Sequence, residues 1–190
     1  NVLNMLNTRY VIVPTDQGPQ VQRNPGAPGC VWFVNEIRWV NSPDEEIVAL
    51  NDFNPVRTAV IDKAWQADLP SWQQLASSDS AATIRLTDYP APDRLLYESQ
   101  SASPRLAVFS EVFYKTWHAY IDGREVKPIR VDYILRGLEI PAGTHKIEFR
   151  CVDDVYLRSA RISLIASIVV GVVFLALLGM AVRNAVVRKA

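Results

Sequence analysis

Residues 162–182 (ISLIASIVVGVVFLALLGMAV) are 21 consecutive positions without a charged side chain. No other feature constrains the chain as strongly. At 1.5 Å per residue a helix of this length spans about 32 Å, the thickness of a bilayer's hydrocarbon core. A helix lying on a soluble domain carries a polar stripe at helical period. Here the polar side chains are Ser163 and Ser167, both near the start. The competing reading, a fully buried core helix, fits this length and lack of amphipathicity less well. The chain is therefore expected to be anchored in a lipid bilayer.

The flanks bear on orientation. Arg183, Arg188 and Lys189 follow the apolar run, and Arg158 and Arg161 precede it. The positive-inside tendency counts these cations and largely ignores Asp153 and Asp154. Three against two favours a cytoplasmic C-terminus. The expected division is an extracytoplasmic domain over residues 1–157, a transmembrane helix with its flanks over 158–183, and a cytoplasmic tail over 184–190. The chain opens at Asn1 with neither Met nor an apolar signal sequence. A translocated domain without its own export signal is expected to be the tail of a longer membrane protein. A tail-anchored cytosolic domain is the alternative.

About 160 residues precede the span, enough for one domain that buries about two-thirds of its unfolded surface. Lys plus Arg equals Asp plus Glu at 20 each, which argues against nucleic acid as a partner. Cys30 and Cys151 are the only cysteines, and a pair permits a disulfide without implying one. Both lie in strand-like runs, where an unpaired cysteine behaves as a small apolar residue.

The chain reads as mainly β: an antiparallel, sandwich-like domain with short helices. Residues 1–8 fit a short helix, and residues 9–13 (RYVIV) a strand stopped by Pro14. Residues 16–29, rich in Gly, Pro and Gln, read as loop. Residues 30–40 (CVWFVNEIRWV) read as one strand. Ser42-Pro43-Asp44-Glu45 is a helix start, with Ser42 as cap, Pro43 in the first turn and Glu45 completing a capping box. That helix is expected near 43–51, carrying Ile47, Val48 and Leu50. A strand at 58–61 and an irregular stretch at 63–80, with one helical turn near 72–75, complete the less regular part. Residues 81–151 read as regular strands at 81–88, 94–99, 106–112, 117–121, 125–129, 133–140 and 144–151, separated by turn residues.

Asp122-Gly123 lies between two of these strands. It predicts a two-residue turn in which both residues take positive φ. Alternation places Trp117, Ala119 and Ile121 on one face, with His118 and Tyr120 on the other. A second hairpin is expected over 139–146, turned by Pro141-Ala142-Gly143-Thr144. Beyond it, Ile147 and Phe149 face inward, and Lys146, Glu148 and Arg150 face solvent.

These residues also carry a resemblance. Phe109-Ser110-Glu111-Val112-Phe113-Tyr114, Trp117-His118-Ala119-Tyr120-Ile121-Asp122-Gly123, Leu135-Arg136-Gly137-Leu138 and Ile140-Pro141-Ala142-Gly143-Thr144-His145-Lys146-Ile147-Glu148-Phe149 together resemble the C-terminal end of the YfhO-family bacterial membrane proteins. The opening Asn1-Val2-Leu3-Asn4-Met5-Leu6-Asn7-Thr8-Arg9-Tyr10-Val11-Ile12 resembles the segment leading into that tail, and Trp32-Phe33-Val34 and Glu45-Glu46-Ile47 also fit. The sequence departs at Lys115-Thr116, where Pro-Gly before the Trp is usual. The resemblance implies a polytopic glycosyltransferase of the GT-C class in the bacterial cytoplasmic membrane, using a polyprenyl-phosphate-linked sugar. It implies that the catalytic carboxylate lies between early transmembrane helices, outside this chain. The lipid bilayer and the upstream membrane part of the same protein are then the expected partners.

The chain shows no HExxH, CxxC, GxSxG or phosphate-loop motif. His118 and His145 have no ligand-spaced Cys or His neighbour. No catalytic residue, metal site or cofactor is expected within it. The aromatic residues offer the one plausible binding function. Trp32 and Trp117 alternate with apolar residues and read as core. Trp65 and Trp72 sit in the irregular stretch, where core packing is a weaker explanation, and together with Tyr114 and Tyr120 are the candidates for contact with a glycan or lipid-linked sugar. Asp122, Gly123 and Gly143 are assigned structural turn roles. Two functions follow: an accessory domain of a membrane glycosyltransferase acting on cell-envelope glycopolymers, or a membrane-anchored, non-enzymatic β-sandwich that binds glycan or protein.

Overall fold

The computed structural model describes residues 1–71, 73 and 81–187. It divides into two units, Asn1–Cys151 and Val152–Ala190. In the first, α1 (Val2–Met5) leads into strands β1 (Tyr10–Val13), β2 (Gln20–Arg23), β3 (Val31–Val34) and β4 (Glu36–Val40). Helix α2 (Pro43–Ala49), strand β5 (Thr58–Asp62) and a 3₁₀ helix (Lys63–Asp68) follow. Then come β6 (Thr83–Ala91), β7 (Arg94–Ser101), β8 (Arg105–Val112), β9 (Trp117–Ile121), β10 (Arg124–Val126), β11 (Ile129–Val131), β12 (Leu135–Ile140) and β13 (Gly143–Cys151).

Two antiparallel sheets make the sandwich, in the orders β10-β9-β13-β7-β6 and β11-β12-β8-β3. Between them lie Tyr97, Ala119, Ile121, Ile147 and Phe149 from one sheet, and Val31, Ala107, Phe109, Leu138 and Ile140 from the other. Tyr97, Phe109 and Phe149 meet edge to face, with centroids 4.9 Å apart for Tyr97–Phe109 and 4.8 Å for Phe109–Phe149. The four-stranded sheet has a second buried face. There Trp32, Val34, Leu106, Val108, Ile129 and Val131 pack with Leu50, Phe53, Ala59, Val60, Ile61 and Leu69. Burial on both faces explains why residues 106–109 are an unbroken apolar run rather than an alternating one. The third layer is β4-α2-β5, whose strands pair in parallel.

The mainly β, antiparallel sandwich is present as expected, and the differences are local. Residues 16–29 are not all loop, because β2 pairs with β1 from Tyr10↔Arg23 to Val13↔Gln20. Backbone pairing suffices there, so no apolar alternation marks the strand. The run 30–40 breaks at Asn35, placing β3 in the sandwich and β4 beside β5. The stretch 125–129 splits into β10 and β11, in different sheets, on either side of Lys127-Pro128. Residues 139–146 are not a hairpin. β12 pairs with β8 and β11, β13 pairs with β7 and β9, and Pro141-Ala142 crosses between the sheets. Gly143 begins β13 at φ 119°, a backbone conformation that glycine adopts without strain.

Local capping follows the expected chemistry. The Glu45 N–H donates to Ser42 Oγ at 3.2 Å, but the Glu45 carboxylate accepts from the backbone of Asn41, one residue before the cap. The buried side chains of α2 are Glu46 and Ala49, while Ile47 and Val48 are exposed. Asp122 and Gly123 have φ of 51° and 81°, as a tight two-residue hairpin turn requires. Cys30 and Cys151 are free thiols.

In the second unit, α3 (Asp154–Val187) is one helix of 34 residues. Its segment Val155–Met180 is long and apolar enough to cross a membrane, and none of its side chains there is buried. Ser167 Oγ donates to the Ser163 carbonyl at 2.8 Å, so this polar group is satisfied by the helix itself.

Candidate functional site

A cleft of about 510 Å³ lies where the 3₁₀ helix, the β8–β9 connection and β10 meet. Its floor is aromatic. Trp65 extends from the 3₁₀ helix, whose start is capped by Asp62 Oδ1 accepting from the Ala64 N–H at 2.9 Å. The Trp65 ring meets Phe113 edge-on, with centroids 5.3 Å apart and planes at 72°. Phe113 is hung on the β11–β12 turn, where its N–H donates to the Ile134 carbonyl at 2.6 Å. A tight turn follows, closed by the Trp117 N–H donating to the Tyr114 carbonyl at 3.0 Å. That turn occupies Lys115-Thr116 and brings Tyr114, Lys115 and Trp117 to the cleft together.

Trp117 is half-buried rather than a full core residue. One part packs on the core between the sheets, and another lines the cleft. The Arg136 guanidinium lies 4.1 Å from the Trp117 ring centroid and 5.1 Å from that of Phe149. Glu111 accepts from Arg136 Nη2 at 2.6 Å, and the Val112 carbonyl accepts from Nε at 3.1 Å. This buried, neutralised arginine fixes the plane of the indole.

The rim is polar. Lys127 Nζ donates to both Asp68 carboxylate oxygens, at 2.8 and 2.7 Å, and stands 5.8 Å from the Trp65 centroid. His118 Nδ1 lies 2.7 Å from Glu125 Oε1. Flat aromatic faces bordered by an ion pair and a His–Glu contact suit a ligand with an apolar face and hydroxyl edges, which is the shape of a pyranose ring. The arrangement offers stacking and hydrogen bonds. Among the described residues, no group of three or more His, Cys, Asp or Glu side chains could hold a metal ion.

The candidates from sequence divide accordingly. Trp65 and Tyr114 line the cleft. Tyr120 does not: it lies on the outer face of β9 with the Arg150 guanidinium 4.7 Å from its ring centroid. Trp72 lies outside the described residues, as does the helical turn expected near 72–75. Asp122 and Gly123 form their turn, where Asp122 Oδ2 lies 2.7 Å from His145 Nδ1. That contact lowers the Asp122 pKa and raises that of His145. Sequence reasoning missed Phe113, Lys127 and the stacking of Arg136 on Trp117. Each depends on strands that are adjacent in space and distant in the chain.

Comparisons with family models, with curated proteins and with solved structures return no match for this chain.

Proposed function

We propose that this chain is a membrane-anchored β-sandwich that holds a sugar ring in the Trp65–Trp117 cleft. In this reading it is the accessory extracytoplasmic domain and last transmembrane helix of a polytopic glycosyltransferase. The enzyme takes sugar from a polyprenyl-phosphate carrier and modifies a cell-envelope glycopolymer in the bacterial cytoplasmic membrane. The observation that carries the proposal is the cleft itself, with Trp65, Phe113, Tyr114 and Trp117 converging on one space edged by Lys127–Asp68 and His118–Glu125. The sequence resemblance to the YfhO family supports the enzymatic context. The cleft residues supply positioning, and the chemistry belongs to the upstream membrane part.

Three measurements test this. Envelope oligosaccharides titrated into the full chain in neutral detergent should perturb its tryptophan fluorescence, and the perturbation should be lost in Trp65→Ala. No response to any sugar would remove the binding function. The chain alone should transfer no sugar from a polyprenyl-linked donor, and turnover by it would overturn the accessory assignment. In spheroplasts, Gly123→Cys, in a chain with Cys30→Ala and Cys151→Ala, should react with an impermeant thiol reagent. Labelling only after permeabilisation would place the domain in the cytoplasm.

A further inference from the structure

The β1–β2 hairpin is a two-stranded sheet that, among the described residues, pairs with no third strand. Directly opposed residues of an antiparallel pair share a face. The register Tyr10↔Arg23 and Ile12↔Val21 therefore gathers these four side chains on one side. All are exposed: Tyr10 at 63%, and Ile12 and Val21 at 68% each, with Arg23 also open. On the opposite face Val11 and Val13 are partly buried. An isolated hairpin gains little stability of its own, and solvent-facing Ile and Val add nothing to it in water.

The charge around this face has one sign. Arg9 and Arg23 both border a recess of about 370 Å³, shared with Tyr10 and Asn24. Neither arginine is within ion-pair distance of a carboxylate among the described residues. The hairpin's acidic residue, Asp16, sits in the turn and not on the paired face. Asn24 holds the recess in shape, with its Nδ2 donating to Asn4 Oδ1 and to the Thr8 carbonyl at 2.9 Å each. Aliphatic side chains, a tyrosine and the Arg23 guanidinium on one small face, with Arg9 beside it at the recess, match the layering of a bilayer surface. Apolar groups enter the acyl boundary, tyrosine settles at headgroup level and guanidiniums meet phosphates. The same chain carries a helix long and apolar enough to cross a membrane, which argues for a bilayer as the occupant.

We propose that the β1–β2 hairpin docks on the bilayer surface, with Ile12 and Val21 in the headgroup–acyl boundary and Arg9 and Arg23 on lipid phosphates. Docking adds a second attachment of the chain to the membrane. This is independent of sugar binding in the cleft.

The test uses the full chain with Cys30→Ala and Cys151→Ala, reconstituted in vesicles. Ile12→Cys carries an environment-sensitive fluorophore, and Val48→Cys on α2 serves as a second site. In phosphatidylglycerol-containing vesicles the label at position 12 should shift to the blue and be quenched by lipids bearing headgroup-level nitroxides. The label at position 48 should stay aqueous. Arg9→Gln and Arg23→Gln should each lower the docked-to-free ratio by about fivefold in these vesicles, and far less in phosphatidylcholine. An aqueous label at position 12 in both lipids would overturn the proposal. So would a blue shift that follows protein density and escapes lipid quenching, which would assign the face to a second copy. Equal quenching at positions 12 and 48 would also overturn it, as non-specific adsorption.

Discussion

Asp132 and Val60, 72 residues apart, are joined by two hydrogen bonds. The Val60 N–H donates to Asp132 Oδ1 at 2.7 Å, and the Asp132 N–H donates to the Val60 carbonyl at 2.8 Å. Asp132 thus pairs with β5 as a neighbouring strand residue would, although it lies in a turn. Asp132 and the following Tyr133 have φ of 49° and 70°, costly for non-glycine residues. Tertiary contacts hold them there, since the buried Glu46 carboxylate accepts from the Tyr133 N–H at 2.8 Å and from Arg130 at 2.7 Å. Ile134, which supports Phe113 in the cleft wall, belongs to the same turn.

The first prediction concerns pH. Burial pushes the Asp132 pKa from 3.8 up to about 8, and Glu46 is shifted upward by burial as well. Between the unfolded and folded values of Asp132, the native state keeps a proton that the unfolded chain has released. Stability should therefore fall as pH rises from about 4 to about 8, by up to ~1.4 kcal/mol per pH unit, and level off above. Asp132→Asn should flatten this slope while its amide oxygen can still accept from Val60. Denaturant midpoints followed by tryptophan fluorescence would show it. An unchanged slope in the variant would count against the assignment.

Gly137→Ala should destabilise the sandwich by about 1–3 kcal/mol, as over-packing does. A Cβ there would stand 2.5 Å from Val131 Cγ1 and 3.1 Å from Ile129 Cγ1. Adding Val131→Ala should recover part of the loss in a double-mutant cycle. Strictly additive costs would mean that the two positions do not clash.

Gly123→Val should cost about 1 kcal/mol or more by thermal unfolding, from backbone strain alone. Nothing lies within 4 Å of the added Cβ, and φ there is 81°. Gly123→Asn should cost less, because Asn tolerates this conformation. Equal stability of the Val variant and the parent would contradict a strained turn.

Tyr114→Ala should separate binding from folding. The side chain is exposed, so its loss should change stability by less than about 0.5 kcal/mol. Sugar affinity should drop roughly tenfold, the loss of one stacking contact. Trp65→Ala should weaken binding too, with a stability cost from its lost contact with Phe113. Unaltered affinity in Tyr114→Ala would remove this residue from the site.

The sequence alone determined the features set by short-range rules. A charge-free run of bilayer length reads as a spanning helix, Ser42-Pro43 as a helix start, and Asp122-Gly123 as a turn with two positive φ values, because composition and neighbouring residues suffice. Alternation likewise placed Ile147 and Phe149 inside. Tertiary structure alone decided which strands pair. Pro141-Ala142 reads equally well as a hairpin turn or as a crossover, because the difference lies in whether β12 chooses β13 or β8. It also decided that Glu46 is buried while Ile47 is exposed, since a carboxylate goes inside where Arg130 and the Tyr133 N–H await it, and both are supplied from more than 80 residues away. The cleft was half legible for the same reason. Trp65 and Tyr114 stood out by residue type, whereas their union with Phe113 and Trp117 exists only after distant strands have packed.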